Sequence, residues 1–115
     1  MAGFARHAIL AAFAVAALST SPANAQSASA AQDLSYCAGA VAAHANLDVL
    51  SYPTGATGEW APVLGRILDR LNREEGVEGM TGRYAASAAK GYWLEQPAAR
   101  RTAAANECRT RFGGE

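Results

Sequence analysis

Two cysteines, Cys37 and Cys108, stand 71 positions apart in a chain that otherwise has few large apolar side chains to hold a fold together. The spacing is unlike a redox Cys-x-x-Cys, and a zinc site would need two further ligands. In an exported chain an isolated pair is first of all a structural disulfide. Closing a loop of some 70 residues stabilises a fold by about 4 kcal/mol in the chain-entropy model, a large share of a small domain's stability.

Export is what the N-terminus suggests. Arg6 and His7 precede an apolar run from Ala8 to Leu18, and a polar stretch then ends in Ala23-Asn24-Ala25, which is the pattern of a cleavable signal over residues 1–25. Cleavage falls before Gln26. The apolar run is far short of the roughly 20 residues a membrane-spanning helix needs, so no stable membrane insertion is expected after cleavage. Leu34-Ser35-Tyr36-Cys37 superficially resembles a lipid-attachment box. However, Tyr36 is too large for its position, Asp33 interrupts the approach and the apolar run ends well upstream.

About 90 residues then remain, enough for one domain but near the size at which a core alone becomes marginal. Loss of Arg6 leaves nine basic residues facing ten acidic ones, which removes global steering towards nucleic acid or an anionic surface.

Residues 26–32, small and polar, are expected to be a disordered leader, with Asp33 capping a first helix that ends near Leu50. Leu34, Cys37, Val41 and Ala45 recur at helical spacing, which puts Cys37 on its buried face. Tyr52-Pro53-Thr54-Gly55 breaks it. In a second helix, with Thr57 as cap and Pro62 in the first turn, Trp60, Leu64, Ile67, Leu68 and Leu71 line one stripe, and Arg66, Arg70 and Arg73 fall opposite. Thr81 is expected to cap a third helix from about Gly82 to Gln96. If Tyr84, Ala88 and Tyr92 of that helix face the core, Trp93 is left on the far side with Ala86 and Ala89. Being apolar around most of its circumference, the helix is either central in a bundle or carries an exposed patch. Pro97 suits the start of a fourth helix, in which Ala104, Ala105, Cys108 and Phe112 repeat before Gly113 stops it. The expected fold is all-α: a small three-to-four-helix bundle over residues 33–113, closed by one disulfide linking the first turn of the first helix to the end of the last.

Motifs for chemistry are sparse. His44 is the one histidine of the mature chain and, with Asp48 four residues on, could present two metal ligands on one helix face, but the third ligand of a tight site is not indicated. The serines at 35, 51 and 87 have no Gly-x-Ser-x-Gly elbow around them. Glu59, Glu78 and Glu95 cannot be told from solvated surface charge. The glycine-rich stretches 54–58 and 76–82 lack the Gly-Lys-Ser/Thr end of a phosphate loop, and no haem-attachment motif is present. No cofactor is expected. Two features suit a protein partner: Trp93 as an exposed anchor, and the Arg66-Arg70-Arg73 stripe as an anionic docking face, unless Asp69, Glu74 and Glu75 pair with it.

Signal, helical domain and single disulfide together resemble the outline of the small periplasmic acid-stress chaperones, which implies loss of packing at low pH. The charge content is low for such a device and the cysteine spacing long. The sequence thus leads to a periplasmic or secreted, non-catalytic binding or accessory protein of the cell envelope with an envelope protein as partner. The alternatives are an acid- or stress-responsive chaperone and a small enzyme without a recognisable motif.

Overall fold

Proline is at home in the first turn of a helix, where its missing amide hydrogen has no partner to lose. The first helix begins at such a residue. In the computed structural model, which describes residues 22–114, the elements in order are α1 (Pro22–Ala45), α2 (Ala61–Asn72), α3 (Met80–Leu94) and α4 (Ala98–Cys108), the last running into a single π-helical turn, Arg109–Gly113. No strand occurs among the described residues, and no helix among them is long and apolar enough to cross a membrane. Residues 1–21, most of the expected signal, lie outside the described residues.

α1 starts eleven residues before the expected cap and takes in residues 26–32, because its alanine-rich sequence gives helix propagation little to oppose it. Asp33 therefore caps nothing: it lies mid-helix and pairs with Arg111 at 3.3 Å. Cys37 lies mid-helix too, not in a first turn. At the other end Asn46 adopts a left-handed backbone, φ 57°, and the Leu47 amide donates to the Ala42 carbonyl at 2.9 Å, a Schellman-type stop that ends the helix at Ala45 rather than near Leu50. From Cys37 to Ala43 every residue of α1 is buried, so α1 is the central helix, packed by α2, α3 and α4.

α2 buries Val63, Leu64, Ile67, Leu68 and Leu71 and exposes Arg70 and Arg73, as its periodicity implies. Thr57 does not cap it. Gly58, at φ 91°, turns the chain so that the Ala61 amide reaches the Gly58 carbonyl, and Trp60 takes the cap position with no side-chain bond.

α3 begins at Met80, before the expected cap Thr81, and its two faces are reversed relative to expectation. Gly82, Ala86 and Ala89 are buried and Trp93 is half-buried against the core, whereas Tyr84, Ala88 and Tyr92 are exposed. The cause lies across the interface. A Cβ on Gly39 of α1 would lie 2.5 Å from the Lys90 amide nitrogen and 2.6 Å from the Ala89 Cβ, so the backbones approach too closely for tyrosines between them.

α4 buries Ala105 and Cys108, and Cys108 bonds Cys37 with their Cα atoms 5.3 Å apart, which joins first helix to last. Around this link Leu64, Ile67, Leu71, Val41 and Val49 are the largest fully buried side chains. The Cys37→Ala/Cys108→Ala variant is expected to lose about 3–4 kcal/mol in urea unfolding relative to the oxidised protein. Gly39→Val should cost about 3 kcal/mol, because the obstructing atoms are backbone and cannot swing aside, and its melting temperature should fall well below that of an exposed Gly91→Ala control.

Candidate functional site

The reversal of α3 leaves a row of apolar side chains exposed. Met80, Tyr84, Ala88 and Tyr92, spaced four apart, all lie exposed along its outer face, with Tyr84 61% exposed and Tyr92 38%. At 1.5 Å per residue the row is about 18 Å long. Beside it, α1 and α3 enclose a groove of about 490 Å³, floored by Ala85, Ala88 and Ala89, with Ala31 and Tyr36 of α1 on one wall and Tyr92 on the other. Gln32 and Ser35 are the polar residues of α1 in it, and among the described residues no charged side chain lines it.

Tyr36 and Tyr92 are held by a third aromatic residue. The Trp93 indole nitrogen donates to the Tyr36 carbonyl at 3.1 Å, and the Trp93 ring meets Tyr92 edge-on at 5.1 Å and Tyr36 at 6.4 Å. Tyr36 and Tyr92 are themselves 5.8 Å apart, and the Arg100 guanidinium covers Trp93 at 5.4 Å while bonding the Gln96 side chain. Trp93 is thus half-buried and braces the groove's aromatic wall, and the exposed aromatic surface belongs to Tyr36, Tyr84 and Tyr92. The sequence does carry a signal for this: Gly82, Ala86 and Ala89 are small residues on one side of α3, with Ala89 against Gly39 of α1 and Gly82 against Leu71 of α2.

The arginine stripe is kept together but is not internally paired as Asp69, Glu74 and Glu75 would allow. The one ion pair within 4 Å among the described residues is Asp33–Arg111. Instead the Arg66 Nε donates to the Gly113 carbonyl, and Arg70 lies over the Phe112 ring at 5.7 Å.

His44 and Asp48 are not on one helix face, since α1 stops at Ala45 between them. His44 packs edge-on against Trp60 at 4.8 Å, and Asp48 accepts the Leu50 amide at 3.0 Å. No group of three or more metal-ligating side chains occurs among the described residues. Glu59, Glu78 and Glu95 are dispersed over exposed positions.

Set against family models, characterised proteins and solved structures, the chain matches none. What the coordinates define is a disulfide-closed, all-α protein with an apolar, aromatic-walled groove.

Asp48 is held below the usual aspartate range, first by the Leu50 amide, then by Ser51 and by the charge of Lys90. A depressed carboxyl stabilises the fold above its unfolded-state value and ceases to do so as pH falls through the folded value. The melting-temperature gap between the native chain and Asp48→Asn should therefore be present at neutral pH and shrink as the pH is taken below the usual aspartate range.

Proposed function

We propose that the protein is a non-catalytic binding protein of the cell envelope, periplasmic or secreted, and that the groove between α1 and α3 receives an apolar helix of an envelope protein. The observation that carries this reading is the exposed row Met80–Tyr84–Ala88–Tyr92, continuous with the groove through Ala88 and Tyr92. A straight strip about 18 Å long suits a helix laid lengthwise better than a compact ligand, and its alanine floor admits close backbone approach. The lack of charge in the lining favours an apolar occupant, and tyrosines are common anchors at such contacts. The signal-like N-terminus and a disulfide between α1 and α4 favour the location.

The acid-chaperone alternative draws little support. It needs carboxylates whose protonation dismantles the core, and Asp48 and the Asp33–Arg111 pair both lie at exposed positions.

A photo-crosslinking residue at Tyr84 is expected to yield a discrete envelope adduct that the same residue at Thr102, exposed on α4, does not. Adding Ala88→Arg should reduce that adduct by roughly 30-fold without lowering the melting temperature, since it forces a charge into an apolar contact costing about 2 kcal/mol. An equal adduct from Thr102, or an adduct indifferent to Ala88→Arg, removes the reading.

A further inference from the structure

Eight arginines lie among the described residues, and five of them engage a terminal guanidinium nitrogen. Arg83 bonds the carbonyls of Val49 and Tyr52, Arg100 the Gln96 side chain, Arg101 the Gln96 carbonyl, Arg109 the Asn106 side chain and Arg111 the Asp33 carboxylate. The three on the outer face of α2 differ. Among the described residues Arg66 uses only its Nε, on the Gly113 carbonyl, and Arg70 and Arg73 donate to nothing. These three surround a pocket of about 230 Å³ completed by Phe112, Gly114 and Asp69, the last the one carboxylate among the described lining residues.

One wall of the pocket is firmly placed. Gly113 is buried so closely on α2 that a Cβ there would lie 2.6 Å from Val63 Cγ1, and Phe112 packs against the core beneath Arg70. The bond from Arg66 Nε to Gly113 then fixes the plane of that guanidinium and leaves its terminal nitrogens to other acceptors. Among the described residues the lining holds three guanidinium groups against one carboxylate.

We infer that this pocket binds a phosphate group. A carboxylate has two oxygens and one charge, which a single guanidinium fork satisfies. A phosphate, as monoester or diester, is tetrahedral and projects its oxygens out of any single plane, so that forks on different sides can each reach it, which is what three arginines around one pocket offer. The groove of the proposed function shares no lining residue with this pocket, so the two can be tested apart.

The purified, oxidised protein is titrated with inorganic phosphate by calorimetry, and co-sedimented with vesicles of phosphatidylglycerol or phosphatidylcholine. Arg70→Gln/Arg73→Gln removes two exposed charges at the pocket, and Arg100→Gln/Arg101→Gln removes the same charge on α4, where neither side chain lines the pocket. The pocket variant is expected to bind about tenfold more weakly, with the control within about twofold of the native chain. Binding of free phosphate with this pattern identifies a soluble ligand. The same pattern with phosphatidylglycerol vesicles alone identifies a lipid headgroup. Failure of both probes, equal losses in the two variants, or acetate binding as tightly as phosphate each overturns the proposal.

Discussion

At Gly39 the backbones of α1 and α3 come so close that a methyl group would sit 2.5 Å from the Lys90 amide nitrogen, and the rest of the molecule is arranged around that approach. Small residues must meet small residues there, so Ala89 turns inward, and with it Ala86 and Gly82 on the same side of α3, the last against Leu71 of α2. The tyrosines of α3 are then turned outward by the helical period alone. One steric condition thus determines both the packing of the bundle's central helix and the presence of an apolar strip on its surface. Burying the bulkier face would remove more area from water, but it would hold the helices apart and leave voids along the alanines of α1.

Alanine-rich helices bury little area per residue, and two other devices support them. The Cys37–Cys108 bond ties the centre of α1 to the end of α4, acting on the unfolded chain and so independently of how much surface the helices cover. Long cationic side chains also reach across to carbonyls left open at helix ends and loops. Lys90 bonds the Leu47 carbonyl at 2.6 Å, and Arg83 bonds those of Val49 and Tyr52 at 3.0 and 2.6 Å, which anchors α3 to the segment after α1. Such groups lose much if buried without a partner, and a guanidinium spanning two carbonyls satisfies both at once. Six of the nine described basic residues, Arg83, Lys90, Arg100, Arg101, Arg109 and Arg111, thus bond through a terminal nitrogen within the described residues, against which the stripe on α2 stands out.

The parts legible in the sequence are those governed by hydrophobic period and covalent chemistry. The amphipathic stripe of α2, the pairing of Cys37 with Cys108 and the all-α class with three to four helices all follow from patterns within one segment or from one reactive pair. The start of α1 was not legible, because residues 26–32 look like a polar leader and are helical only as an extension of a helix already nucleated downstream. Nor was its end, since Asn46 competes with a periodic pattern that continues to Leu50. The orientation of α3 was hidden for a deeper reason. Ranking faces by bulk presumes a partner surface able to take bulk, and whether it can depends on Gly39, some fifty residues away in sequence.

That failure falls at the candidate site, and the coincidence has a physical basis. A chain whose local pattern and tertiary packing agree has no apolar surface to spare, whereas a disagreement leaves side chains whose burial the fold does not complete. Tyr84, 61% exposed, contributes little to the core, and Tyr36 and Tyr92 are braced by Trp93 without being covered by it. Bracing restricts the rings before anything binds, so a partner meeting this wall loses less side-chain entropy than it would in ordering free tyrosines. The same indole that packs half into the core therefore prepares the surface outside it, which is why Trp93 matters to the groove without lining it.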